Sequence, residues 1–139
     1  MEKTKSEYYF QAFKKMKLAF INFAKTELKD LSLSPNEVEV LSALDQKCCG
    51  SDVAREFDVS KTLVSRSVSF LKDKGYIKTE QGEDKREKVL ILTENGKEVA
   101  NRIAKMKADF FEKILKNFDE REMLVFEALL KLMVKNAYE

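Results

Sequence analysis

Residues 60–75, SKTLVSRSVSFLKDKG, carry four cations against one acid, a net charge of +3 in a chain whose total is only +2. Their spacing matters more than their sum. Val64, Val68 and Leu71 recur at steps of four and three, the period of a helix face turned to a core. That leaves Thr62, Ser65, Arg66 and Ser69 facing outward, with Lys61 at the exposed N-terminal end and Ser60 placed as the N-cap. An arginine there can hold a guanine edge through two hydrogen bonds, short hydroxyls allow close approach to bases and phosphates, and lysine adds charge. A surface helix that is merely basic is the competing reading, and the helix taken alone does not separate the two.

A second cluster is Asp84-Lys85-Arg86. On extended backbone Asp84 and Arg86 project to the same side, so the carboxylate can orient the guanidinium or a nearby cation. An oriented arginine on a narrow ribbon suits a minor groove and its phosphates. Taken by itself the triplet reads equally as a solvated charge run, since Glu83 and Glu87 flank it.

Other chemistries have little to work with. The chain has no histidine, so Ser-His-Asp and Cys-His catalysis and most zinc sites are excluded, and neither GxGxxG nor GxxxxGK[ST] occurs. No catalytic residue, metal site or cofactor is expected. The two cysteines, Cys48 and Cys49, are adjacent and cannot staple distant segments. They are read as reduced thiols with a structural role, in preference to a redox switch supported only by the neighbouring Lys47.

The elements that position these residues follow from pattern and punctuation. With one proline and four glycines in 139 residues, the chain is mostly helical. Tyr9, Phe13, Met16, Phe20 and Phe23 mark a long aromatic-faced helix from about 5 to 30. Ser34-Pro35-Asn36-Glu37 reads as a capping box opening a second helix that buries Val38, Leu41 and Leu44 and stops near Gln46 to Gly50. A short helix from Ser51 to Phe57 and the helix from Ser60 to Lys74, separated by Asp58 and Val59, have the spacing of a helix-turn-helix. Gly75 is a C-cap, and Tyr76–Thr79 and Glu87–Leu92 form a hairpin with Gly82 at its tip. Thr93 caps a long helix carrying Val99, Ile103, Met106, Phe110, Ile114 and Phe118, and Asp119 with Glu122 caps a last one carrying Met123, Phe126, Leu130 and Met133. The expected fold class is mainly α with a small β-hairpin wing (α+β), a winged helix-turn-helix flanked by long terminal helices.

The string from Val59 to Ile77 (VSKTLVSRSVSFLKDKGYI), the Asp84-Lys85-Arg86 triplet and Leu92-Thr93-Glu94-Asn95-Gly96, in that order, resemble the MarR family of bacterial winged-helix transcriptional regulators. The resemblance implies an obligate homodimer in which first and last helices interlock, a recognition helix in the major groove and an Asp-x-Arg wing in the minor groove. Ser60, Thr62, Ser65 and Arg66 fall on its recognition-helix positions, and Asp84 and Arg86 on its wing motif. It also implies that a small aromatic or lipophilic anion can bind between the dimer helices and the winged region.

Together these readings describe one domain over 1–139, with 1–31 and 93–139 as dimerisation helices and 34–92 as the DNA-binding region. Its expected partners are a pseudo-palindromic double-stranded DNA operator, a second copy of itself and a small-molecule effector, with no membrane. No window approaches 18 uncharged apolar residues, and a cytoplasmic location is expected. The expected function is a sequence-specific DNA-binding regulator, a repressor and not an enzyme. The competing class is a winged-helix module that binds protein, for which exposed apolar anchors would replace the polar, cationic face of Lys61, Thr62, Ser65, Arg66 and Ser69.

Overall fold

The computed structural model of the protein describes residues 1–44, 61–81 and 88–139. It divides into two compact units, Met1–Ala108 and Asp109–Glu139. Helix α1 spans Lys3–Glu27 and buries no residue fully, but Phe20, Phe23 and Ala24 in its last turns pack against the core of the first unit. A 3-10 turn, Lys29–Leu31, follows, and Ser32 then adopts left-handed backbone (φ 49°). Helix α2, Pro35–Leu44, begins at the expected capping box: the Ser34 hydroxyl accepts from the Glu37 N–H (3.2 Å) and the Glu37 carboxylate accepts from the Ser34 N–H (3.3 Å). Val38, Leu41 and Leu44 are buried as the spacing requires, and Val40 and Ala43 are buried with them. The expected end of this helix near Gln46 to Gly50 and the short helix from Ser51 to Phe57 lie outside the described residues.

Helix α3, Lys61–Asp73, packs on α2 through Val64 and Leu71. It closes in a Schellman motif: the Gly75 N–H donates to the Lys72 carbonyl (3.0 Å) and the Tyr76 N–H to the Leu71 carbonyl (2.9 Å). Gly75 stands at φ +79°, where a side chain is disfavoured. Strands β1 (Ile77–Gln81) and β2 (Lys88–Leu92) pair antiparallel, with Ile77 opposite Leu92 and Gln81 opposite Lys88. Ile77, Leu90 and Leu92 turn into the core.

Helix α4, Glu94–Ile114, starts at a tight junction. The Thr93 hydroxyl donates to the Gly75 carbonyl (2.6 Å) and accepts from the Gly96 N–H (3.0 Å), while the Thr93 N–H donates to the Tyr76 carbonyl (3.0 Å). A Cβ on Gly96 would stand 1.9 Å from the Tyr76 carbonyl oxygen. Beyond this junction Val99, Ala100, Ile103 and Met106 fill the core, and Lys107 Nζ donates to Ser42 of α2 (2.9 Å). Arg102 grips Asp30 with two hydrogen bonds of 2.8 Å and donates to the Glu27 carbonyl (3.3 Å), tying α4 to the end of α1.

The apolar period expected to carry one helix through Phe118 outlasts the helix itself. The helix stops at Ile114, and Asn117 turns the chain with φ 74° before the next cap. Helix α5, Glu120–Ala137, opens at the expected capping box between Asp119 and Glu122 (2.8 and 3.1 Å). It buries none of its residues. Phe118 meets Phe126 edge to face at 6.1 Å, and Phe110 meets Phe111 at 5.8 Å.

Gly96→Ala will unfold or grossly destabilise the protein, because its new methyl collides with backbone and not with a movable side chain. Gly75→Ala meets no atom and will cost only the left-handed penalty, about 1–2 kcal/mol. Thermal unfolding of both variants checks that order. A second expectation concerns acid. The Arg102 hydrogen bonds hold the Asp30 carboxyl below its ordinary range, so its contribution is present above about pH 4 and is lost as pH falls through the lowered folded value. Arg102→Ala will remove that part of the acid-side stability slope, read by denaturant titrations between pH 2 and 5.

Candidate nucleic-acid interface

Helix α3 divides its surface by chemistry. Val64, Ser67 and Leu71 face the core, whereas Ser65, Arg66 and Ser69 are exposed together on the opposite side. Three of the residues singled out from the sequence thus share one open face. Lys61 and Thr62 stand in the first turn of the same helix, at its electropositive end. Ser60 and the wing residues Asp84, Lys85 and Arg86 lie outside the described residues. The register of the hairpin sets their connection: with Gln81 opposite Lys88, the six residues 82–87 join the strands.

Asp73 also falls on the open face, at the C-terminal end of α3. An acid there opposes a phosphate, and Lys72 and Lys74 on either side of it offset that charge. Sequence reasoning named Val64, Val68 and Leu71 as the inward stripe and passed over Ser67, which is 6% exposed. Its position, three after Val64 and four before Leu71, was the available signal.

The helix is held on both flanks. On one side Lys72 Nζ donates to the Thr79 hydroxyl on β1 (3.3 Å). On the other, Lys74 Nζ lies 4.7 Å from the centre of the Phe70 ring and donates to the Leu31 carbonyl (3.1 Å) in the 3-10 turn. The Schellman motif and the Thr93 junction add backbone ties at the C-terminal end of α3.

A separate concavity lies between the last turns of α1 and the start of α2. It encloses about 520 Å³ over an apolar floor that includes Phe20, Ile21, Ala24 and Leu28, with Lys17, Lys25 and Lys29 among its walls against one acid, Glu39. The sequence marks Phe20 as part of the aromatic face of a long helix. The row Lys17, Ile21, Ala24, Lys25 and Leu28, at helical steps along one face, was the signal for an apolar cleft walled by cations. Among the described residues no group of His, Cys, Asp or Glu is arranged to hold a metal ion, and no helix is long and apolar enough to cross a membrane.

Residues 33–96 match the family model for the winged helix DNA-binding domain. An uncharacterized HTH-type transcriptional regulator of Bacillus subtilis, YwoH, is 28% identical over 56% of this chain and 57% of its own length. The HTH-type transcriptional regulator PapX of Escherichia coli is 28% identical over 68% of this chain and 59% of its own. The chain therefore spans under two thirds of either curated relative. A MarR protein from Peptoclostridium difficile superposes with a TM-score of 0.85 at 22% identity, over 99% of this chain and 92% of that one. An exposed Ser65-Arg66-Ser69 face on α3, a two-stranded hairpin and the matched segment converge: residues 33–96 are a winged helix DNA-binding domain, in a chain whose fold is like that of the MarR protein on which it superposes.

Proposed function

We propose that the protein is a sequence-specific double-stranded DNA-binding repressor that works as a homodimer on a pseudo-palindromic operator, within the cytoplasm. The observation that carries this reading is the exposed Ser65, Arg66 and Ser69 face of α3 on a helix clamped at both flanks. Arg66 reads a base edge, Lys61, Thr62 and the serines approach bases and phosphates, and the wing triplet Asp84-Lys85-Arg86 meets the minor groove. Phe70, an exposed large apolar residue of α3, is covered on one ring face by Lys74 Nζ.

Twofold assembly is supported by apolar surface that each unit leaves open. Tyr8, Phe10 and Phe13 on the first half of α1 are exposed, as are Leu124, Val125, Leu129, Leu132 and Val134 on α5. Apolar surface on this scale is rare on monomers. The effector site is the α1/α2 cleft, whose apolar floor and cationic walls suit a small aromatic or lipophilic anion.

Selecting bound fragments from random duplex DNA tests the reading, with two half-sites related by a dyad as the expected product. Arg66→Ala will lose about 1–3 kcal/mol per half-site and relax the selected sequence without altering folding, whereas Arg86→Ala will weaken all sequences alike and flatten the salt dependence. Titrations at several salt concentrations on selected and scrambled duplexes distinguish them; an Arg66→Ala dimer with full affinity would overturn the assignment. Sedimentation at micromolar concentration will show a dimer, and a stable monomer would contradict the assembly.

A further inference from the structure

We propose that the segment Leu28–Leu33 is the mechanical link between the α1/α2 cleft and the DNA-reading helix, and that Lys74 is the positioning residue through which the link acts. The inference rests on the cleft being the effector site and goes further, by assigning the route by which occupancy reaches α3.

This short segment belongs to both places at once. Leu28, Lys29, Ser32 and Leu33 line the cleft. Between them, the Leu31 carbonyl accepts the hydrogen bond from Lys74 Nζ, one residue beyond the last turn of α3. The neighbouring positions are pinned to α4, where Arg102 holds Asp30 and the Glu27 carbonyl. Ser32, a residue with a side chain, is kept in left-handed backbone at φ 49°, a conformation that persists only where surrounding contacts impose it. A guest entering between α1 and α2 pushes on the connection that joins them. The Arg102 grip limits movement on the α1 side, so displacement is directed to residues 31–33. A shift of roughly 1 Å at Leu31 is enough to take a 3.1 Å hydrogen bond beyond useful range. Lys74 then loses its anchor, and the flank of α3 away from the wing is released while Lys72 still holds the other to Thr79. The backbone joint at Thr93 still holds the C-terminal end of α3, so the lost tie lets the helix readjust slightly about that joint, which misplaces Arg66 relative to a base edge.

Such coupling is reciprocal: if the guest weakens DNA binding by some factor, DNA weakens guest binding by the same factor. The probe is 8-anilinonaphthalene-1-sulfonate, an aromatic anion matching the cleft, titrated by fluorescence with and without the selected duplex. Duplex affinity is measured by anisotropy with and without probe. Wild type is expected to lose duplex affinity by about tenfold at saturating probe, and probe affinity by the same factor at saturating duplex. Lys74→Met keeps an unbranched stem over Phe70 but removes the bond to Leu31, and is expected to show under about a twofold effect in both directions while still binding probe. Lys72→Met, on the opposite flank, is expected to keep the wild-type ratio. Lys25→Glu, on the cleft wall, is expected to weaken probe binding.

Lys74→Met responding like wild type overturns the proposal, as does a wild type that binds duplex with no response to probe, or a Lys25→Glu protein with unchanged probe affinity. If no duplex is selected at all, the DNA-binding reading itself has failed, an outcome distinct from loss of coupling in a protein that binds DNA.

Discussion

The architecture turns on a backbone contact that admits no side chain. Helix α4 can begin where it does only because Gly96 lets its first turn lie against the Tyr76 carbonyl, and Thr93 joins the two by serving at once as donor, acceptor and cap. Tyr76 is also the residue whose N–H closes α3 and whose successor opens β1. The end of α3, the base of the hairpin and the start of α4 therefore meet within a few ångströms. Because the joint is made of backbone groups and one short hydroxyl, it has few rotamers to lose and fixes three directions together. The side-chain ties to α3, Lys72 to Thr79 and Lys74 to Leu31, adjust an orientation that this joint has already set.

Much of this was legible in the chain because its local signals are strong and mutually consistent. Ser34 with Glu37 and Asp119 with Glu122 announce helix starts through a reciprocal hydrogen-bond pair that needs no tertiary contact, and both boxes are present. Gly75 announces a left-handed cap because little else tolerates it. The stripe of Val64 and Leu71 identified the inward face of α3, so the outward set followed by subtraction. Where periodicity misled, it did so because period is blind to termination: Phe118 keeps the phase of α4, yet Asn117 ends any helix before it. The cleft was not legible for a different reason. Phe20 and Ala24 look like any core-facing residues in one dimension, and only the fold brings Leu33, Pro35, Val38 and Glu39 round to the other side of the space beside them. Long-range ties such as Arg102 to Asp30 join charges 72 residues apart, and no local pattern encodes them.

Charge in this protein acts by placement. The overall balance is nearly neutral, and α3 carries Arg66 on its exposed face and Asp73 at its C-terminal end, between Lys72 and Lys74. The helix dipole places its positive end at the N-terminal half of that face. The same economy applies at the cleft, where lysines outnumber acid around an apolar floor. Two cation-bearing surfaces thus coexist on a nearly neutral chain, and they differ in what accompanies the charge: hydroxyls on α3, aliphatic and aromatic carbon in the cleft.

The Asp119–Glu122 capping box has a consequence for how α5 meets whatever covers it. Starting a helix is the uphill step, since several residues must be ordered before the first turn is closed, and a reciprocal cap lowers that step from within the segment. The helix is thereby defined at its N-terminus with none of its apolar residues buried. A partner arriving at this surface finds side chains already arrayed in helical register and has little backbone left to order. Association of that kind proceeds as the docking of shaped surfaces, with a rate governed by encounter and orientation in place of a coil-to-helix transition.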